Sequence, residues 1–272
     1  YVSRQALFLP SATAISPEGM PWMRRSFEDA TLENLLAKIE LKYNDVAAGL
    51  DKLAGEQKGQ YRLKSETDWQ QFWNALNQQP VKTKINDTIA SRRESARNYF
   101  QSVGLLDVTP WAVVDLGWYL TCQQSLWKML KSWGWTGRIK GFYLALKLER
   151  IAPPSAGDAE AMIYETPLKF EGSPSVSGIF SHQTLLEHIV GCADHPTVHH
   201  YERCHDDKTG PGFANPVNET TALFCHKLHA EVLAFVIQNR GLAGDFQNAG
   251  FLRAMLSGLA TEFFRFPGKK SV

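Results

Sequence analysis

Apolar positions along this chain recur at spacings of three and four over several separate stretches, which is the pattern of amphipathic helices. Leu32, Leu35, Leu36, Ile39, Tyr43, Val46 and Leu50 form one such stripe, and Thr31 stands where an N-cap belongs. Ser65 and Asp68 read as a capping pair ahead of Trp69, Phe72, Trp73 and Leu76, with Pro80 as the stop. From about Lys84 to Ser102 a further helix is predicted, with Ile85, Ile89, Ala96, Tyr99 and Phe100 on its buried side and Gly104 at its end.

The pattern changes at Trp111-Ala112-Val113-Val114. A short unbroken apolar run of this kind predicts a strand covered on both faces. Asp115 ends the run, and Gly117 permits a backbone conformation closed to other residues. A helix is then predicted from about Tyr119 to Trp133, because Leu126, Trp127, Leu130 and Trp133 share a stripe and Gly134 sits at the C-cap. A second strand follows at Ile139 to Leu146. The intervening helix is long enough for a right-handed parallel crossover. Tyr1 to Pro10 reads as the end of a strand followed by an apolar segment.

Beyond Leu148 the periodicity weakens. Ala152 to Asp158 is rich in Pro, Ser and Gly. Met162–Tyr164 and Leu168–Phe170 read as short strands, and Leu185, Leu186, Ile189 and Val190 as a short helix. Asp206 to Pro216 reads as a loop. Thr220 or Thr221 caps a helix to about Asn239 with Phe224, Leu228, Val232, Phe235 and Val236 facing inward, and a last helix is predicted over Phe246–Phe264. The expected fold is α/β: a small, mostly parallel sheet containing Val2, Val113 and Phe142, flanked by helices, with a mainly helical C-terminal third. Residues 1–150 are expected to form the α/β core and residues 151–272 an irregular and helical extension packed on it, either as a separate part or as one continuous domain.

Composition narrows the function classes. The 272 residues carry 29 Lys and Arg against 28 Asp and Glu, a net charge of +1, so no global field calls for nucleic acid or an anionic membrane. As read from the sequence, no apolar run approaches the roughly 20 residues that cross a bilayer, and no membrane span is expected. Four cysteines make no disulfide framework and point to a reducing, cytoplasmic setting. The chain opens on Tyr1-Val2-Ser3-Arg4 without an initiator Met or signal peptide. It reads as a piece of a longer protein, with partner strands upstream.

Several separated pieces belong together: Ser3-Arg4 with Leu7-Phe8-Leu9, Arg97-Asn98-Tyr99-Phe100, the run from Val113 to Trp118 with Thr121 and Gln123, and Lys140-Gly141-Phe142-Tyr143-Leu144. In this order they resemble the region after a haloacid-dehalogenase-like domain in predicted bacterial hydrolases. Those proteins are encoded with, or fused to, glycosyltransferases of cell-surface polysaccharide synthesis. The resemblance spans about residues 1 to 240, and its most distinctive motif is the aspartate-glycine-tryptophan turn. The aspartate motif used as nucleophile by dehalogenase-like phosphatases is not recognisable in this chain. The resemblance therefore implies a hydrolase site upstream, with that hydrolase domain or a glycosyltransferase as partner.

Ligands of open α/β sheets bind at the carboxyl ends of strands. That places a candidate site at Asp115, Gly117, Trp118, Thr121 and Gln123. The first turn of a helix has unsatisfied N–H groups that hold phosphate, and Thr121 adds a hydroxyl. Asp115 can orient a divalent metal, a ribose hydroxyl or a sugar hydroxyl, or it can cap the helix with Trp118 packed beneath. Trp118 in the turn can stack on a base or sugar. Ser3 and Arg4 are expected at the edge of a neighbouring strand, where Arg4 forks either a phosphate or Asp115. Arg97, with Arg92 and Arg93, forms either an anion-binding face or a solvated one. Asp115 and Arg4 are the candidate catalytic pair. The expected ligand is a phosphorylated or nucleotide-linked sugar, with no organic cofactor.

All eight histidines lie between His182 and His229, together with Cys192, Cys204 and Cys225. Cys192 to His195 and Cys225 to His229 have spacings that zinc sites use, but no second matched pair completes a signature, and no structural zinc is expected. Cys122, at the helix start, reads as a small buried residue.

Overall fold

The computed structural model describes residues 1–25, 30–107, 110–147, 158–165, 187, 193, 195–204, 208–213 and 218–238. Among these residues eight α-helices and five strands occur: α1 (Arg4–Phe8), α2 (Pro21–Arg25), α3 (Leu32–Ala37), α4 (Tyr43–Ala54), α5 (Glu66–Leu76), α6 (Val81–Ser102), β1 (Ala112–Trp118), α7 (Thr121–Ser132), β2 (Lys140–Lys147), β3 (Asp158–Glu165), β4 (Val198–Arg203), β5 (Thr209–Phe213) and α8 (Glu219–Gln238). The fold is mixed α and β. It divides into a helical unit (Tyr1–Thr109, Lys128–Thr136, Thr197–Ala214) and a sheet unit (Pro110–Trp127, Gly137–Pro196, Asn215–Val272).

In the helical unit the stripe from Leu32 to Leu50 is buried apart from half-buried Tyr43, but on two helices rather than one, with Ile39 in the turn between them. The Leu41 N–H bonds the Leu36 carbonyl at 3.0 Å, and Glu40 takes the left-handed conformation at φ 58°. This is a Schellman end, usually built on glycine, so its sequence signal is absent here. Ser65 caps α5, with its hydroxyl accepting from the Asp68 N–H at 3.1 Å and Asp68 returning to the Ser65 N–H. Pro80 ends one helix and also begins the next, because the first turn of a helix does not miss its N–H. α6 therefore starts at Val81, earlier than the apolar spacing predicts. Trp69, Phe72 and Trp73 meet edge to face at 5.8 and 5.5 Å between centroids.

Two expectations change in this unit. Val2 lies in no strand: Ser3 instead caps α1, accepting from the Ala6 N–H at 3.1 Å. Within the Asp206–Pro216 stretch expected as loop, Thr209–Phe213 form β5, which pairs antiparallel with β4. Tyr201 of β4 supplies the reason. It is buried to 1% exposure, stacks on Tyr99 at 4.6 Å and meets Phe100 edge-on at 5.2 Å. Burial of that ring outweighs the poor strand propensity of Gly210, Pro211 and Gly212, and a two-stranded edge tolerates proline.

In the sheet unit β1, β2 and β3 are all parallel, in that order, with Ala112 opposite Lys140 and Lys140 opposite Asp158. β1, α7 and β2 make the predicted crossover unit. β3 is the third member, and its eight residues extend both ways past the Met162–Tyr164 strand read from the sequence. Leu120, Tyr143, Leu146 and Ala161 form a small core with Trp127 and Ala159 against it. The other face is not covered as the apolar run suggested: Val114 is 82% exposed, and Phe142, opposite it in register, 43%.

α8 also departs from expectation. Phe224, Val232, Phe235 and Val236 do not face inward but are 46 to 66% exposed, and Cys225 is the buried residue of this helix. Over an 18-residue window its mean hydropathy is 1.3, so by length and composition it is able to cross a membrane, although Lys227 and Glu231 lie inside it. The Leu168–Phe170 strand and the Phe246–Phe264 helix lie outside the described residues, as does the Leu185–Val190 helix apart from Glu187.

The helical unit stands on its packed rings. Phe72→Ala should cost about 3 to 5 kcal/mol, since the side chain is fully buried. Ser65→Ala should cost about 1 kcal/mol through the lost cap. Both are read as lower urea midpoints at unchanged slope.

Candidate functional site

The candidate site begins where β1 hands over to α7. β1 runs past Asp115 to Trp118, so Asp115 does not end the strand as the apolar run suggested but lies midway along it, Trp118 is its last residue, and the turn itself is Tyr119-Leu120. Gly117 has φ 144°, and a Cβ there would stand 2.0 Å from the Ala145 carbonyl oxygen. Only glycine lets β1 approach β2 this closely. Leu120 is left-handed at φ 58°, which costs roughly 1 kcal/mol, and burial of its side chain in the small core offsets that. Thr121 is the first residue of α7.

Beneath this turn lies a buried polar pair. The Tyr143 hydroxyl donates to Gln123 Oε1 at 2.6 Å, and Gln123 Nε2 donates to the Asp158 carbonyl at 3.3 Å. Gln123 is fully buried and Tyr143 5% exposed. Both side chains occupy space that a Cβ on Gly141 would fill, 2.1 Å from Gln123 Oε1 and 2.5 Å from Tyr143 Cε2. The pair ties the first turn of α7 to β2 and, through Asp158, to the start of β3.

Asp115 is the register neighbour of Tyr143 across the β1–β2 ladder. Burial drives the Tyr143 phenol far above its ordinary value, and the charges of Asp115 and then Cys122 add to the shift. A carboxylate, a thiol and a phenol held as a hydrogen-bond donor thus gather at one strand-to-helix junction. Sequence reasoning found Asp115 and Gln123 but missed Tyr143, whose place beside Asp115 depends on strand register.

The remaining predicted residues divide by unit. Trp118 is buried, and its indole N–H donates to Glu187 Oε1 at 2.8 Å. Ser3, Arg4 and Arg97 belong to the helical unit. The Ser3 hydroxyl, besides capping α1, donates to the Val198 carbonyl, while Arg4 and Arg97 are exposed. Of the neighbouring arginines, Arg92 forks Glu40 at 2.6 and 2.9 Å, and Arg93 donates to the carbonyls of Pro10 and Ala12 at 2.9 and 2.6 Å.

Among the described residues no three His, Cys, Asp or Glu side chains come together as a metal site. His182, His188, Cys192 and His205 lie outside them. Cys122, Cys204 and Cys225 are in no disulfide. Compared with models of known families and with curated proteins, the sequence matches none of either.

Tyr143→Phe should cost about 1 to 3 kcal/mol, because it leaves the Gln123 oxygen buried with one partner fewer. The raised phenol pKa also sets a sign. Its contribution to stability is complete below the unfolded tyrosine value of about 10 and is lost as pH rises beyond it, because the unfolded phenol ionises first. Tyr143→Phe should flatten that part of the alkaline loss, measured as urea stability against pH.

Proposed function

We propose that this chain is a sugar-binding domain of a bacterial surface-polysaccharide biosynthesis protein and holds a phosphorylated or nucleotide-linked sugar at the β1–α7 junction. The observation that carries this reading is the handover itself. Asp115, midway along β1, and Thr121, the first residue of α7, flank the carboxyl end of a parallel strand, the end at which α/β proteins bind ligands. The first turn of α7 and the Thr121 hydroxyl receive the phosphate. Asp115 accepts from a sugar or ribose hydroxyl. Gln123 and Tyr143 position α7, and Trp118, anchored to Glu187, walls the junction. Ser3, Arg4 and Arg97 have no part in this version of the site. The resemblance to the region after a haloacid-dehalogenase-like domain supplies the biosynthetic setting.

A second reading is a non-catalytic accessory domain for an upstream dehalogenase-like hydrolase or for a glycosyltransferase. The exposed apolar sides of α8 and the exposed Val114–Phe142 face favour it, since apolar surface left in water is characteristic of contact surfaces.

Thermal unfolding in millimolar UDP-glucose, GDP-mannose or glucose 1-phosphate separates the two. Binding at the junction should raise Tm by several degrees at saturating ligand, and Asp115→Asn and Thr121→Val should each remove most of that rise. An unchanged Tm with all three ligands leaves the accessory reading standing.

A further inference from the structure

A second place in the molecule has the make-up of a ligand site, and it lies wholly within the helical unit. It is a cleft of about 180 Å³ lined by Gln5 of α1, Lys38 and Glu40 after α3, Arg92 of α6, and His199 and His200 of β4. We propose that it binds a phosphate group carried by a small molecule. This goes beyond the sugar-binding reading, uses none of its residues and does not depend on it.

Charge and donor inventory support the assignment. Lys38 and Arg92 bring two fixed positive charges, and Glu40 brings one negative charge that Arg92 already neutralises through a two-point fork. That fork uses Nε and Nη2 of Arg92 and leaves Nη1 for another acceptor. The Gln5 amide lies 3.3 Å from His199 Nδ1. With Gln5 donating, the neutral imidazole carries its proton on Nε2 and is itself a donor. Ammonium, guanidinium, amide and imidazole thus come from four separate elements. A phosphomonoester, with three terminal oxygens, uses so many donors better than a carboxylate with two. The cleft is smaller than the roughly 300 to 1,000 Å³ of drug-sized sites, which suits a phosphate group better than a whole nucleotide.

The site is built at some cost. Glu40 holds a left-handed backbone that residues other than glycine seldom adopt, and the fork with Arg92 fixes its carboxylate there. Gly212 makes room for His200, since a Cβ would stand 2.6 Å from its Nε2, and His200 in turn lies 3.1 Å from the Glu202 carboxylate. Burial, then Lys38, then His200 hold His199 below its ordinary pKa. An anion in the cleft offsets Lys38 and draws a proton onto His199, so binding is coupled to proton uptake.

Sulfate is the probe, because it keeps its double charge from about pH 8 down to about pH 4, the range in which a histidine held below its ordinary value takes up its proton. The His199 ring proton is followed by NMR across that range in sulfate and in chloride at equal ionic strength. The expected results are a higher His199 pKa in sulfate, sulfate affinity that rises as pH falls, and a smaller effect with acetate. Lys38→Met should weaken sulfate binding about fivefold, while Lys38→Arg should largely keep it. Identical His199 titrations in sulfate and chloride overturn the proposal, and so does a sulfate response that Lys38→Met leaves intact. Acetate acting as strongly as sulfate overturns the assignment to phosphate. A protein that gains Tm from nucleotide sugars but shows no sulfate response at His199 keeps the first reading and loses this one.

Discussion

Tyr143 and Gln123 face a constraint that governs the sheet unit. Each is buried with polar atoms that water can no longer reach, and each satisfies the other through one short hydrogen bond. An unpaired amide or phenol in that position costs more than a made bond contributes, so α7 has one favourable placement over β2. The second bond, to the Asp158 carbonyl, extends the tie to the start of β3. Where the first turn of α7 lies, and therefore where Thr121 lies relative to Asp115, follows from this pair. Gly117 and Gly141 serve it by omission, since a side chain at either would occupy space that a neighbour already fills.

The helical unit is held by a different means. Its stability comes from aliphatic and aromatic burial along α1 to α6, with rings meeting edge to face or stacked. The β4–β5 hairpin joins this core chiefly through Tyr201, which stacks on Tyr99, meets Phe100 edge-on and donates to the Tyr1 carbonyl at 3.1 Å, with buried Val198 and the Ser3 bond to the Val198 carbonyl beside it. That attachment brings His199 and His200, remote in sequence, beside Lys38 and Arg92. Polar groups at the rim of an apolar core are where a fold can hold charge partly out of water without losing its packing.

Two groups of exposed apolar side chains stand out among the described residues. Val114 and Phe142 share one face of the sheet, and the run Val232–Ile237 of α8 is apolar on all sides. A helix of that composition is ordinarily surrounded by protein or lipid. Its charged pair, Lys227 and Glu231, is spaced to meet on one side of the helix and so lowers the cost of an apolar setting.

Much of the local structure was legible from residue order alone. The capping pair at Ser65 and Asp68, the apolar stripes of α3 to α6, the helix end at Gly134 and the β1–α7–β2 unit all rest on contacts within a few residues, and spacing and cap chemistry report such contacts directly. Asp115, Gly117 and Thr121 were legible as a strand-to-helix junction for the same reason. What spacing does not encode is pairing between distant segments. The break at Glu40 lacks the usual glycine, the β4–β5 hairpin exists because Tyr201 finds Tyr99, and β3 rather than Val2 completes the sheet. Tyr143 comes to stand beside Asp115 only through strand register, and His199 beside Lys38 only through the docking of a hairpin. Local sequence determined which helices and turns form. Burial of particular rings and the satisfaction of buried polar atoms, which depend on the whole chain at once, decided which side chains meet.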